Sequence, residues 1–215
     1  MCIRDRYYIS AETNAQALAS PHLEGFKSKK VPVLIMTDAI DQFWLPMVGS
    51  FKEKKFTSIT QGQINLDELD TKNKDKKKDD KSEKEKQDKE YVDLVAQLKV
   101  VLGDQVKDIR LSSKLTDSPV CLVADEGDMD IAMEQLMAQR DTNYKGAPRI
   151  LEINGDHSLI KNMKSLLSKK EDNDLVSDAG TLLFEQARLM EGKMPADPAQ
   201  FSKIMNQFLL KAIPN

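Results

Sequence analysis

The sequence predicts an α+β fold made of two units, and three observations support this prediction. Short apolar runs of strand length alternate with segments in which apolar residues recur at helical spacing. Residues 70–90 contain many lysines and carboxylates but no aliphatic or aromatic residue. Such a run cannot offset the entropy of its own ordering by burying apolar surface, which indicates a charged linker. The chain ends in two segments with apolar helical periodicity, at residues 175–190 and 198–212.

The composition argues against several classes of partner. With 40% hydrophobic residues, a chain of 215 residues can bury a substantial core. Its net charge of -3 arises from nearly balanced acids and bases, so neither nucleic acid nor membrane is a predicted partner. No uninterrupted apolar run reaches the roughly 18 residues of a membrane helix. Cys2 and Cys121 lie far apart, which favours the reducing cytoplasm over a disulfide framework.

Residues 7–69 are predicted to form an incomplete αβα unit. Its elements are predicted at residues 7–9 (strand), 14–19 (helix), 21–26 (helix), 31–36 (buried strand) and 40–48 (helix). Two strands make only the edge of a parallel sheet, so this unit lacks strands that would complete it. Residues 1–6 offer no cap or lead-in to the first strand, and they are predicted to be a leader foreign to the fold.

Residues 91–215 are predicted to form a second unit with a small mixed sheet. Its elements are predicted at residues 91–102 (helix), 106–111 (strand), 120–124 (strand), 149–153 (strand) and 157–167 (helix). A further helix follows an acidic approach at residues 125–128 and reaches about residue 139. Gly103 is the natural C-cap of the first of these helices.

Few residues in the chain suggest catalysis. Asp156 and His157 are adjacent, which suits an acid/base pair, but Asp156 is more simply the N-cap of the helix that follows. Neither common glycine-rich phosphate-binding motif occurs in the sequence. Cys121 has apolar neighbours and is predicted to be a core residue. We therefore predict no catalytic, cofactor-binding or metal-binding residue, and a small hydrolase or phosphotransferase that uses His157 is the enzyme alternative.

A methionine-rich segment is the more informative feature. Met129, Met133 and the pair Leu136 and Met137 recur at spacings that place them on one face of a helix. Two interpretations remain open on this pattern alone. The face either packs on the sheet or forms an adaptable surface for varied apolar partners, because methionine side chains are flexible and polarisable.

The two last helices carry broad apolar faces. Either both helices cover the sheet, or one face remains for a second copy of the chain. Pro198 is placed to occupy the first turn of the last helix. The apolar positions of the pair that are candidates for subunit contact are Leu175, Leu182, Leu183, Leu189, Phe201, Ile204, Met205, Phe208 and Leu209.

Several ordered motifs resemble one family, the ninety-kilodalton heat-shock chaperones of the bacterial HtpG type. The motifs YYI, SPHLE, VLIMTD and IDQF, at residues 7–9, 20–24, 33–38 and 40–43, resemble the end of that family's middle domain. The motifs VKDIRLS, KLTDSP and INGDH, at residues 106–112, 114–119 and 153–157, resemble its C-terminal domain. The resemblance extends from about residue 7 to the end of the chain.

The resemblance implies a function for the surfaces described above. It implies a homodimer held by the last two helices as a four-helix bundle, and a methionine helix that faces the cleft between protomers. It also places Phe43 and Trp44 at that cleft. The candidate client-contact residues are therefore Phe43, Trp44, Met129, Met133, Leu136 and Met137.

The resemblance also sets limits on function. The family's ATP and Mg²⁺ site lies upstream of the matching segments, so we expect no ATPase activity and no cofactor from this chain. Unfolded or partly folded client proteins and a second copy of the chain are the expected partners. A dimerisation module without client affinity is the alternative. Gly155 stands where proline is more usual in the family, and the linker is longer than expected.

Overall fold

The structure, a computed structural model, describes residues 5–62, 64, 66, 89–140, 146–169 and 173–213. These residues form eight α-helices and two β-sheets, as predicted for a mixed fold. The helices are α1 (Asn14–Leu18), α2 (Glu24–Ser28), α3 (Asp41–Val48), α4 (Val92–Leu102), α5 (Ile131–Arg140), α6 (Ser158–Ser168), α7 (Asn173–Met190) and α8 (Pro198–Ala212). The strands are β1 (Asp5–Ser10), β2 (Val33–Met36), β3 (Ser50–Phe51), β4 (Lys54–Ser58), β5 (Val106–Leu111), β6 (Val120–Val123) and β7 (Arg149–Ile153).

The first sheet has four strands in the order β2-β1-β4-β3. β1 runs parallel to both neighbours, with Tyr7 opposite Val33 on one side and Thr57 on the other. The strand predicted at residues 31–36 is confirmed as β2, but the prediction that it is buried is wrong, because β2 lies at the sheet edge and Leu34 is 42% exposed. The hairpin of β3 and β4 was not predicted, since its sequence is too polar to indicate a strand.

The core beneath the four-stranded sheet is small and partly aromatic. The rings of Tyr7 and Phe26 pack with their centroids 5.0 Å apart, and both side chains are buried. Asp5 and Arg6 belong to β1, where they lie opposite Lys55 and Phe56. The remaining members of the predicted leader, like most of the predicted linker at residues 70–90, lie outside the described residues.

The second sheet has three strands in the order β5-β7-β6. β5 is parallel and β6 antiparallel to the central strand, so the predicted small mixed sheet is confirmed. Leu151 pairs with Ile109 on one side and Leu122 on the other, and every residue of β7 is buried. Strand β7 therefore lies at the centre of the second sheet and of the core around it.

Helices α4, α7 and α8 complete the core of the three-stranded sheet. A Cβ atom on Gly180 of α7 would lie 2.3 Å from Leu98 of α4, so glycine permits the close approach of these helices. Ile204 of α8 is buried, and Phe208 packs against the same core. Asp197 caps α8 by accepting hydrogen bonds from two backbone amides, with Pro198 in the first turn as predicted.

Two helix starts differ from the predictions. Helix α5 begins at Ile131, so Met129 precedes the helix instead of lying on its face. The N-cap of α6 is His157, whose ring Nδ1 accepts a hydrogen bond from the amide of Leu159. The prediction that Asp156 is the cap is therefore wrong. Asp156 instead forms an exposed ion pair with Lys161, at 3.1 Å.

Polar contacts join the two sheets. The chain after β4 pairs with the edge of the second sheet through a bridge between Gln61 and Ala124. The carboxylate of Glu24 accepts hydrogen bonds from the backbone amides of residues 116–118 and from the hydroxyl of Ser118. Because a carboxylate is a strong acceptor, this contact fixes the loop between β5 and β6 against α2.

Candidate protein-interaction surfaces

Helix α3 carries the first exposed apolar surface, which we call the α3 surface and define by Ile40, Phe43 and Met47. These side chains are 64%, 38% and 86% exposed. Trp44 has a different position, because it is partly buried against Phe56 at a centroid distance of 5.9 Å. Its indole nitrogen donates to Asp41 at 2.7 Å. Of the two predicted aromatic contact residues, Phe43 is thus the more available, while Trp44 supports the helix.

The methionine segment is partly buried and partly exposed. Ile131 is buried on one side of α5, whereas Met133 and Leu136 are partly buried. Met129 and Met137 are 38% and 39% exposed. One side of the helix thus packs inward while Met137 reaches the surface, and contact of the exposed side with apolar partners stays a prediction.

A groove lies between α3 and α5. It has a volume of about 240 Å³ and is lined by Asp38 and Gln42 on one side and by Gln135 and Leu136 on the other. At its end, the amide of Gln139 donates to the carboxylate of Glu12 at 3.1 Å. Phe43 and Met137 do not line this groove. Of the predicted contact residues, only Leu136 lines this groove.

The predicted subunit-contact residues of the last two helices separate into two groups. Leu183 and Ile204 are buried in the chain's own core, and Leu175, Leu182, Phe201 and Phe208 are partly buried. The exposed members are Leu189, Met205 and Leu209. The helices therefore cover the sheet with one side and leave another side uncovered.

The uncovered side of α8 forms an apolar row that we call the α8 row. Met205 and Leu209 of α8 and the C-cap residue Ile213 follow each other at intervals of four residues, and they are 37%, 49% and 71% exposed. Leu210 lies beside them at 76% exposure. The sequence prediction did not include Leu210 and Ile213, although their position at the end of the apolar periodicity was visible.

Charged residues are buried around the central strand β7. Glu152 accepts two hydrogen bonds from Arg110, at 2.8 and 3.1 Å, and one from Ser112. The ammonium of Lys114 lies 3.8 Å from the same carboxylate and donates to the carbonyl of Ile59 near the first sheet. Glu152 is thus paired with two cations that also approach the four-stranded sheet.

The possible reactive groups have structural roles in this arrangement. Burial raises the pKa of the Cys121 thiol, which opposes formation of a thiolate. Burial and the Lys114 ammonium lower the pKa of His22 to about 3, so its ring is neutral. Within the described ranges, no three His, Cys, Asp or Glu side chains are arranged to hold a metal ion. No helix of the described part of the chain is long and apolar enough to cross a membrane.

The two exposed apolar surfaces are of the kind found in proteins that bind other proteins. Comparisons with known proteins give the family. The family model described as "Hsp90 protein" matches residues 4–214. The chaperone protein HtpG of Roseobacter denitrificans is 42% identical over 209 residues, which cover 96% of this chain and 33% of that relative. HtpG of Wolbachia pipientis is 37% identical over 213 residues, covering 95% and 32%. HtpG of Streptomyces coelicolor is 37% identical over 201 residues, covering 94% and 31%.

The chain therefore belongs to the Hsp90 family of heat-shock chaperones, as its motifs predicted. It spans about a third of the length of the curated relatives that it matches. Membership of this family makes it a chaperone-family protein.

Proposed function

We propose that this chain supplies the dimer-forming and client-contacting parts of an HtpG-type chaperone. The observation that carries the proposal is the α8 row, an exposed apolar side of a helix whose opposite side is anchored in a core. Uncovered apolar surface on a rigid support is typical of an interaction site. A second copy of the chain is the occupant that we propose for it.

The proposal includes a position in the longer relatives. Residues 7–69 correspond to the end of the middle domain, residues 70–90 to a charged linker, and residues 91–215 to the C-terminal dimerisation domain. Binding of ATP and Mg²⁺ belongs, in this proposal, to a part of the family's length that the chain does not span. We accordingly propose that the chain itself is not an enzyme and that it acts in the cytoplasm.

Client contact is proposed for the surfaces around the groove between α3 and α5. Exposed, adaptable side chains are present on both sides, with Phe43 and Met47 on one side and Met129 and Met137 on the other. Separated apolar groups of this kind suit segments of unfolded protein, because such segments conform to them without needing a preformed shape. The partly buried Trp44, Met133 and Leu136 are proposed to border the contact.

The dimer is tested by charge substitution in the α8 row. We expect Leu209→Glu combined with Leu210→Glu to convert a dimer into a monomer in sedimentation velocity, because two carboxylates would be buried without partners. Val100→Glu is the matched control, since Val100 is an aliphatic residue that is 79% exposed on α4. A wild-type chain that is monomeric at micromolar concentration would contradict the dimer proposal.

Client contact is tested separately. We expect Met137→Glu to weaken binding of a permanently unfolded protein, reduced and carboxymethylated α-lactalbumin. Val100→Glu again serves as the control, and circular dichroism checks that both variants are folded. A wild-type chain that dimerises but does not bind the probe is a dimerisation module without client affinity. Probe binding that is unchanged in both Met137→Glu and Phe43→Glu would contradict the proposed contact surface.

A further inference from the structure

A buried cluster of charges lies between α5 and the turn that leads into α8. Glu134 of α5 is 2% exposed and accepts a hydrogen bond from Arg149 at the start of β7. Its other oxygen lies 2.9 Å from the ammonium of Lys193, in the turn after α7. One carboxylate therefore connects three segments that are distant in sequence.

Further contacts reinforce the cluster. The guanidinium of Arg149 also donates to the carbonyl of Met129 at 2.9 Å, just before α5. The side-chain amide of Gln135 donates to the backbone carbonyl of Glu191, which is in the turn. Lys193 lies 3.4 Å from the carboxylate of Glu191, a side chain that is itself buried. Helix α5 is thus attached to the turn by two neighbouring residues.

The cluster is closely packed. Gly146 has a φ of +70°, and a Cβ atom there would lie 2.5 Å from the carboxylate of Glu134. Only glycine combines this backbone conformation with so close an approach. Separating Glu134 from its partners would leave charges buried and unpaired, which is strongly unfavourable. Helix α5 and the turn are therefore expected to move together when either is displaced.

The turn leads directly into α8, the helix that carries the α8 row. The amide of Ala196 donates to the buried carboxylate of Glu185 of α7 at 3.1 Å, and Asp197 begins α8. From this geometry we infer that Glu134 is a positioning residue that couples occupancy of the client-contact helix α5 to the affinity of the dimer. The inference rests on the proposed function, because it requires that α5 contacts clients and that α8 contacts a second copy.

A purely structural cluster and a coupling cluster give different results. In the first case, removing the Glu134 charge lowers stability and leaves client binding and dimerisation independent of each other. In the second case, the two binding reactions are linked, and the link weakens with the variant. Thermodynamic linkage requires the effect to be reciprocal, so one direction of measurement is sufficient.

The experiment measures the dimer dissociation constant of the full 215-residue chain. Sedimentation velocity is performed with and without saturating reduced, carboxymethylated α-lactalbumin, and the ratio of the two constants is the coupling factor. For the wild type we expect the probe to change the dimer dissociation constant by about fivefold or more. For Glu134→Gln we expect the factor to approach 1 while both binding reactions persist.

Two further variants keep the result interpretable. Lys193→Met removes a partly exposed partner and leaves the pair of Glu134 and Arg149 in place, so it is expected to remain folded and to lower the coupling factor. Glu126→Gln, which changes an exposed carboxylate before α5, is the control and should retain the wild-type factor.

The outcomes separate the inference from the proposed function. A wild-type chain that dimerises and binds the probe with a coupling factor of 1 overturns the inference and leaves the proposed function intact. Equal coupling factors in the wild type, Glu134→Gln and Lys193→Met likewise overturn the inference and leave the proposed function intact. A wild-type chain that fails to dimerise or to bind the probe overturns the proposed function itself.

Discussion

Around the four-stranded sheet large apolar side chains stay exposed, whereas around the three-stranded sheet charged side chains are buried. Met47 and Phe51 are 86% and 50% exposed at the first sheet. At the second sheet, Glu134, Arg149 and Glu152 are each less than 5% exposed. Both placements reverse the usual preference of apolar residues for the interior and of charged residues for the surface.

The difference indicates where substitutions affect stability and where they affect binding. A buried ion pair costs desolvation energy, and removal of one partner leaves the other buried and unpaired. An exposed apolar side chain makes few contacts, so its removal hardly changes the folded state. The second sheet is therefore expected to be sensitive to charge, and the first to tolerate loss of apolar groups.

The strongest test of the comparison is Glu152→Ala. We expect the free energy of unfolding to fall by about 3–5 kcal/mol, because Arg110 and Lys114 lose their shared carboxylate. Denaturant unfolding followed by circular dichroism measures the change. Glu126→Ala, at an exposed carboxylate, should change stability by less than about 0.5 kcal/mol. Similar losses for the two variants would break the comparison.

Glu24→Ala tests a charge that is only partly buried, at the contact between the sheets. The variant loses hydrogen bonds to the loop at residues 116–118, and we expect a loss of about 1–2 kcal/mol after allowance for solvent screening. Burial acts to raise the pKa of Glu24, but the hydrogen bonds from Ser118 and the backbone amides outweigh it, and the pKa is lowered.

This lowered pKa gives the pH dependence of the Glu24 contact. The contribution of Glu24 is present above its unfolded-state pKa and is lost as the pH falls through the lower folded-state pKa. The stability difference between wild type and Glu24→Ala should therefore narrow in acid. Glu24→Gln keeps one acceptor oxygen and should lose less stability at neutral pH. A difference that is constant with pH would contradict this assignment.

Glu191→Gln is expected to raise the stability of the fold, by less than Glu24→Ala lowers it. Burial raises the pKa of Glu191, and Lys193 and Arg149 counteract this only in part. A raised folded-state pKa stabilises the fold below the unfolded-state pKa, and this stability is lost as the pH rises through the folded-state value. The variant should therefore unfold at a higher temperature than wild type, by a margin that grows with pH. A lower melting temperature at pH 8 would show that the ionised carboxylate is favourable.

The smallest expected effect on stability is that of Met47→Ser at the first sheet. The free energy of unfolding should stay within about 0.5 kcal/mol of wild type, because Met47 is almost fully exposed. Binding of the unfolded α-lactalbumin probe should nevertheless weaken, whereas Val100→Ser should leave it unchanged. Fluorescence anisotropy of the labelled probe measures both. A destabilised Met47→Ser variant would show that the α3 surface is part of the core.

Much of the fold could be predicted from local sequence signals. Gly103 ends α4 with a positive φ, and Pro198 follows the capping Asp197 at the start of α8. Strands β5, β6 and β7 were predicted within about one residue, because each is a segment of strand length that carries valine, isoleucine or leucine at several positions. The hairpin of β3 and β4 was missed, since the lysine-rich β4 is stabilised by pairing with β1, and β3 has only two residues and pairs with β4.

The sequence by itself determined the family, the order of the helices and of every strand except β3 and β4, and the periodic apolar faces, because these depend on neighbouring residues and on ordered motifs. Only the tertiary structure decided which apolar residues are exposed and which charges are buried. Leu209 and Leu183 belong to the same kind of pattern, yet one lies at the surface and the other in the core. Glu134 is indistinguishable in sequence from a surface carboxylate, and its burial depends on Arg149 and Lys193. Such contacts between residues distant in the chain exist only once the chain has folded.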